Sequence, residues 1–197
     1  MLTELIKQIE SHVTGLLLHQ LPSGMFYHNI NHTRQMVAAV AELSGQMLFN
    51  EWERHILQAS AWFHDSGYCY SYDGHEAISM TLAGDFLREK GVKDNFIHSV
   101  NECIRATKMP QHPTSAMQSV MCDADMRHLS LPDYELQSAS LRQEWAVHLK
   151  RDFSEKDWHR QNLEFLTSHR YFTTPARSFW EPQKILNINY LRLLLNE

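Results

Sequence analysis

The sequence predicts an all-α protein, for three reasons. Apolar residues recur three and four residues apart, no segment alternates apolar and polar side chains as a strand does, and turn or capping residues separate segments of helix length. A chain of 197 residues is long enough for one sizeable core. We therefore expect a single helical bundle domain over 1–197. Its core would cover about 25–130, and the C-terminal helices 131–197 would pack on it.

The first half of the chain predicts five helices. The apolar positions of the first describe one amphipathic face: Leu2, Leu5, Ile6, Ile9, Val13, Leu16 and Leu17. The helix breaker at 22–24 ends it, and Asn50 is suited to cap the third helix, which ends near His64. A basic residue and a glycine, Lys90-Gly91, end the fourth. The predicted ranges after the first helix are 31–48, 51–64, 76–89 and 93–106, with a loop at 67–74.

The second half predicts four more helices. The sixth covers about 117–128, and Leu131-Pro132 starts the seventh. Ser154 or Lys156 opens the eighth, which continues to Leu166, and 175–182 reads as a loop between prolines. The seventh helix is expected to turn these residues toward the core: Tyr134, Leu136, Ala139, Leu141 and Val147. The last helix carries Ile185, Leu186, Ile188, Leu191 and Leu194.

The composition of the chain indicates which partners and which cellular location to expect. The formal net charge of −5 argues against a nucleic-acid polymer, which normally requires a basic face. The three cysteines form no close pair, so neither a disulfide framework nor a zinc knuckle is expected. No signal peptide and no membrane-spanning stretch is apparent. We expect a cytoplasmic protein that does not enter the membrane.

The pair His64-Asp65 follows the apolar segment 56–63, so the third helix would carry both side chains to the core. A buried imidazole or carboxylate costs free energy unless it is paired or bound to a metal ion. Taken alone, the pair also fits a histidine at a helix C-terminus followed by an aspartate that opens a turn.

Two other segments place similar side chains at helix ends. His28 and His32 are four residues apart at a helix start, so they can face the same direction. Asp123 and Asp125 lie in the sixth helix. Each pair alone is also typical of a solvated surface. The three segments together predict one site with nitrogen and oxygen ligands for a metal ion.

These segments resemble the HD superfamily of metal-dependent phosphohydrolases, whose pattern is a histidine, then His-Asp, then a distant aspartate. The matching residues are His32, His64-Asp65 and Asp125. The resemblance spans about 25–195 and looks closest to the small stand-alone bacterial members, through 27–29, 61–65 and 104–108. The segment 27–32 also resembles the start of the metal site in class I cyclic-nucleotide phosphodiesterases.

The resemblance implies that His32, His64, Asp65 and Asp125 bind a divalent metal ion. Two imidazoles and two carboxylates suit Mn, Fe, Co, Ni or Zn, and Mg less well. Such an ion would activate a water for attack on phosphorus. Asp65 is the catalytic residue expected to accept the water's proton, and His28 is the general acid that the cyclic-nucleotide enzymes imply.

Further candidates surround this set. Side chains two residues apart on a helix point about 200° from each other, so one ion cannot bind both Asp123 and Asp125. The family pattern favours Asp125, which leaves Asp123 to cap the helix or orient a ligand. His75 and His112 are candidates for a second metal, or are solvated residues at a helix start and in a loop. Glu76 is a candidate partner of a metal-bound water.

Candidate substrate contacts are basic or aromatic. Arg105, Lys108 and Arg142 can bind phosphate. Alternatively, the first two form an ordinary basic helix C-terminus, and Arg142 is the ion-pair partner of Glu144 or Glu135. The tyrosines of the 67–74 loop are suited to stack on a base or to cover the core edge: Tyr68, Tyr70 and Tyr72.

The sequence therefore predicts a phosphohydrolase that acts on a small-molecule phosphomonoester or phosphodiester, with a nucleotide as the expected class. Two alternatives stay open. One is an HD-type di-iron oxygenase, which needs both His75 and His112 as ligands. The other is a regulatory module that binds a metal or nucleotide without turnover.

Overall fold

The computed structural model describes residues 2–196 and confirms the all-α prediction. Over this range the chain forms ten α-helices, two short 3₁₀ helices at Ser66–Cys69 and Met126–Ser130, and no strand. The α-helices are α1 (Leu2–Gln20), α2 (Ile30–Gly45), α3 (Glu51–Phe63), α4 (His75–Glu89), α5 (Asp94–Ala106), α6 (Ala116–Asp125), α7 (Tyr134–His148), α8 (Glu155–Ser168), α9 (Thr174–Phe179) and α10 (Glu181–Leu195).

The helices group into two compact units. The first contains residues 2–23 and 28–125, and the second contains residues 24–27 and 126–196. Each unit buries apolar side chains of its own. The expectation of one domain over 1–197 stays a prediction.

Helix α3 is the central helix of the first unit. It packs against α1, α2, α4, α5 and α6, and every side chain from 55 to 63 except Gln58 is buried. A capping box fixes its start, as predicted at Asn50. The Asn50 side chain accepts from the Glu53 N–H at 3.0 Å, and the Glu53 carboxylate accepts from the Asn50 N–H at 2.9 Å. The helix ends at Phe63, so His64 and Asp65 emerge from the buried end of the unit's core helix.

A close backbone contact follows α3. The 67–74 segment, predicted as a loop, begins inside the 3₁₀ helix Ser66–Cys69. The Gly67 N–H donates to the Ser79 hydroxyl at 2.8 Å. A Cβ on Gly67 would lie 2.0 Å from the His75 carbonyl oxygen, so no larger residue fits without a backbone shift. This contact holds the start of α4 against the segment that follows Asp65.

Two predictions of helix boundaries in the second half are wrong. The sixth helix, predicted to reach 128, ends at Asp125 and gives way to the 3₁₀ helix Met126–Ser130. The predicted loop at 175–182 is helix α9 together with the start of α10. Pro175 and Pro182 lie in the first turns of these helices, where the missing N–H needs no intrahelical partner. The Thr173 side chain accepts from the Ala176 N–H and caps α9.

The second unit has an apolar core formed by Leu129, Tyr134, Leu163, Leu166, Ile188, Leu191 and Leu195. The predicted core face of α7 is wrong at Leu136, Ala139 and Val147, which are exposed. Helix α7 instead buries polar residues that are hydrogen-bonded. The Ser138 hydroxyl accepts from the Trp158 indole N–H at 2.8 Å, and the Glu144 carboxylate accepts from the Tyr27 N–H at 2.8 Å. Hydrophobic periodicity cannot reveal a face of this kind.

None of the helices in residues 2–196 combines the length and the apolar composition that crossing a bilayer requires.

The Gly67 contact yields a prediction about stability. Gly67→Ala should lower the free energy of unfolding by about 1–3 kcal/mol, because the new methyl overlaps backbone at His75. Gly15→Ala in α1 is the matched control. Its Cβ would have no neighbour within 4 Å, so it should raise stability by up to about 1 kcal/mol through helix propensity. Urea unfolding measures both. Equal effects of the two substitutions would contradict the steric role of Gly67.

Candidate metal centre

Four of the predicted site residues meet in the first unit. His32 lies in the first turn of α2, His64 and Asp65 directly follow α3, and Asp125 is the last residue of α6. His32, His64 and Asp65 are buried, and Asp125 is half-buried. We call these four residues the His–Asp cluster. Three helix ends therefore supply it, as the sequence predicts.

The ligand atoms of the cluster face one another at short range. The two histidine Nε2 atoms are 3.3 Å apart. Asp65 Oδ2 lies 3.3 Å from His32 Nε2 and 3.1 Å from His64 Nε2. Asp125 Oδ1 lies 3.3 Å and 3.7 Å from the same nitrogens. One ligand atom from each of His32, His64 and Asp125 lies within 4.8 Å of the other two, so these residues could hold a metal ion.

A backbone hydrogen bond selects the tautomer of His64. Its Nδ1 lies 2.8 Å from the Ala61 carbonyl oxygen. A carbonyl only accepts, so Nδ1 carries the proton and the neutral ring presents the lone pair of Nε2 to the cluster. Metal-binding histidines commonly have this arrangement: one ring nitrogen binds the ion, and the N–H of the other donates to a backbone carbonyl.

The residues present fit a metal ion. Asp65 Oδ2 is buried, yet neither of its histidine contacts meets hydrogen-bond geometry. An unsatisfied buried polar atom costs about 1–3 kcal/mol, which a bound ion would remove. Ligands about 2.1 Å from one ion stand about 3.0–3.4 Å apart in octahedral or tetrahedral geometry. Four of the five separations given above, 3.1–3.3 Å, lie in this range, and the fifth is slightly longer.

Opposite charges within the cluster shift its pKa values. Burial acts to lower the pKa of His32, but the carboxylates of Asp125 and Asp65 outweigh it and raise the pKa to about 10. Burial acts to raise the pKa of Asp65, but its interactions with the imidazoles of His64, His32 and His75 hold that pKa well below its usual range. In the metal-free protein, a proton on His32 therefore supplies one positive charge beside the two carboxylates.

The candidates for a second metal fall into two groups. His75, at the start of α4, lies with Nε2 3.4 Å from Asp65 Oδ1 and 3.8 Å from Glu76 Oε1. Its Nδ1 lies 3.3 Å from the Tyr72 carbonyl. Asp123 is fully buried on α6, whereas His112 is exposed in the loop after α5. The structure thus brings His75 and Glu76 beside Asp65. Metal binding by His75 and His112 stays a prediction, as do the supporting roles of Glu76 and Asp123.

His28 lies against the cluster. Its ring contacts that of His32, with centroids 5.6 Å apart and planes at 80°. The side chain is half-buried, so the candidate general acid stands between a predicted metal ligand and solvent. Its catalytic role stays a prediction.

Two of the three candidate phosphate contacts have other partners in the structure. Arg105 is exposed and forms an ion pair with Glu102 one turn earlier on α5, and Lys108 is exposed two residues beyond the end of α5. Arg142 belongs to the second unit, where it donates to the Phe153 carbonyl. Substrate binding by these three residues stays a prediction.

The sequence did not indicate two contacts, that of Gln111 with Asp125 and that of the Tyr68 ring with two histidines. Gln111 donates its side-chain amide to Asp125 Oδ2 at 3.5 Å, from a loop with no motif that could have indicated it. The sequence predicts that Tyr68 covers the core edge or stacks on a substrate base. It is buried, and its ring stacks on both His28 and His75.

In comparisons with known proteins, the chain matches no family model, no curated protein and no solved structure.

The charge balance of the cluster predicts how stability depends on pH without metal. A His32 pKa raised from 6.5 to about 10 contributes stability that is complete below pH 6.5 and is lost as pH rises toward 10. Urea unfolding in a chelator should show a loss of up to about 5 kcal/mol over that interval. The His32→Gln variant, which lacks the titrating group, should show a smaller loss. Identical pH slopes for the two proteins would contradict the charge balance.

Proposed function

We propose that the His–Asp cluster binds a divalent transition-metal ion and that the protein is an HD-type phosphohydrolase. The substrate class is a small phosphomonoester or phosphodiester, with a nucleotide as the first choice. The proposal draws on the resemblance of His32, His64-Asp65 and Asp125 to the HD pattern and on the geometry of these residues.

One observation carries the proposal. Two buried histidines present Nε2 atoms 3.3 Å apart, and a carboxylate oxygen from each of two aspartates lies 3.1–3.7 Å from both nitrogens. Without a cation, the lone pairs of these nitrogen and oxygen atoms face one another in a buried volume, and burying them unpaired costs free energy. A divalent ion neutralises both carboxylates at once. Nitrogen and oxygen ligands in this mixture suit Mn, Fe, Co, Ni or Zn better than Mg.

The residues around the cluster are suited to the proton transfers of phosphoester hydrolysis. A bound ion would supply the charge that polarises a phosphoryl oxygen and acidifies a water. Asp65, whose Oδ1 lies 3.4 Å from His75 Nε2, would accept the proton of the attacking water. As the bond from water oxygen to phosphorus forms and the ester P–O bond breaks, His28 would donate a proton to the leaving oxygen.

The charge distribution of the protein favours a small anionic substrate, bound by individual cationic groups near the cluster. The formal net charge is −5, so the whole molecule does not attract polyanions. Arg105 and Lys108, both exposed at or just beyond the end of α5, are the cations of the first unit that we propose for phosphate binding.

Substitution of the two central residues tests the proposal. His64→Ala and Asp65→Ala should each lower the Mn²⁺ content of the purified protein at least about tenfold, because each removes a ligand. Hydrolysis of p-nitrophenyl phosphate and bis-p-nitrophenyl phosphate should fall at least about 100-fold. The measurements are elemental analysis and initial rates with Mn, Fe, Co, Ni and Mg.

The matched control is His55→Ala on the same helix. His55 is also buried, and its Nδ1 also faces a backbone carbonyl, that of Glu51 at 2.6 Å. This variant should keep both metal content and hydrolysis. Unchanged metal content and hydrolysis in His64→Ala and Asp65→Ala would contradict the proposal. Bound metal without hydrolysis across the panel would favour the regulatory module, and two irons per chain with oxygenase activity would favour the oxygenase.

A further inference from the structure

Tyr68 occupies a position that the proposed chemistry does not yet use. It lies in the 3₁₀ helix Ser66–Cys69, three residues after Asp65, and it is 6% exposed. Its N–H donates to the Asp65 carbonyl at 3.1 Å. The backbone that carries the cluster carboxylate therefore also carries the Tyr68 ring.

The Tyr68 ring is in parallel contact with two imidazoles. The His28 ring lies 4.5 Å from it, centroid to centroid, with the planes at 29°. The His75 ring lies 3.8 Å from it, with the planes at 17°. His28, Tyr68 and His75 thus form one continuous stack, which we call the three-ring stack. Such contacts restrict rotation of an imidazole about its side-chain torsions.

Neighbouring groups hold the stack in place. The Tyr72 ring packs on Tyr68 with centroids 5.1 Å apart and meets the edge of His28 at 6.4 Å. The Tyr72 carbonyl lies 3.3 Å from His75 Nδ1. The contact between Gly67 and the His75 carbonyl fixes the distance between the 3₁₀ helix and α4. Backbone and ring contacts therefore set the planes of both histidines together.

The geometry points to Tyr68 as a positioning residue. Its ring fixes the plane of His28, so that the imidazole can donate its proton to the leaving oxygen, and it holds His75 Nε2 toward Asp65 Oδ1. The effect on rate rests on the proposed function, whereas the ordering of the two imidazoles does not. The aromatic ring of Tyr68 is the required feature, so phenylalanine should replace it and an aliphatic side chain should not.

The first test needs no activity. In the metal-free protein, NMR should show imidazole C–H resonances of His28 and His75 shifted upfield by the ring current of Tyr68, with assignments from His28→Gln and His75→Gln. Tyr68→Phe should keep these shifts and Tyr68→Leu should lose them. The control Tyr70→Leu alters an exposed tyrosine of the same segment, whose hydroxyl bonds Gln20, and should leave them unchanged. Shifts that persist in Tyr68→Leu would overturn the inference.

The second test uses leaving groups of different basicity with Mn²⁺ present. Tyr68→Leu should lower kcat for phenyl phosphate about 10- to 100-fold, with little change in KM, because that leaving oxygen needs a proton. The loss should be less than about threefold for p-nitrophenyl phosphate, whose leaving group needs no proton. Tyr68→Phe should stay within about threefold of wild type on both substrates.

A double-mutant cycle separates positioning from a general loss of structure. In a His28→Ala background, Tyr68→Leu should cause no further loss of kcat, because the residue it orients is gone. Losses that multiply, or a Tyr68→Phe variant as poor as Tyr68→Leu, would overturn the inference. If wild type hydrolyses no phosphoester, the proposed function fails, and the imidazole resonances alone decide whether Tyr68 orders the two histidines.

Discussion

The structure of the first unit depends on the neutralisation of two carboxylates at the buried end of α3. Asp65 and Asp125 lie beside His32 and His64 in a part of the unit that is largely closed to water. Removing a carboxylate from water costs several kcal/mol, so the pair requires a nearby cation. Without metal, a proton on His32 provides it. The divalent ion that we propose would supply a second positive charge at the same place.

The helices and turns around the His–Asp cluster fix the positions of its side chains. A capping box at Asn50 fixes the start of α3, and the apolar run from 55 to 63 buries the helix, so the position of its last turn is well determined. The Gly67 contact then brings α4 and His75 to Asp65. The three-ring stack limits the freedom of His28 and His75. Side chains held by packing in this way need little rearrangement when a ligand arrives, which favours both binding and catalysis.

Much of this organisation could be predicted from the sequence, because strong local signals mark it. Regular apolar spacing predicted α1, and Asn50 predicted the start of α3. The three segments with His28 and His32, His64-Asp65, and Asp123 and Asp125 together predicted the cluster. Features that depend on tertiary structure could not be predicted from the sequence. The prolines at 175 and 182 indicated a loop, although both lie in the first turns of helices. The buried face of α7 carries the polar residues Ser138 and Glu144, so apolar spacing did not indicate it. The parallel stacking of Tyr68 and the approach of Gln111 depend on segments brought together only by folding.

The central claim is that His32, His64, Asp65 and Asp125 jointly hold one metal ion, and anomalous diffraction from crystals grown with Mn²⁺ tests it most directly. We expect one strong anomalous peak within about 2.3 Å of both Nε2 atoms and of an oxygen from each carboxylate. The His55→Ala protein, crystallised in the same way, should show the same peak. Clear density for the four side chains with no anomalous peak among them, at a Mn²⁺ concentration that labels other sites, would contradict the claim.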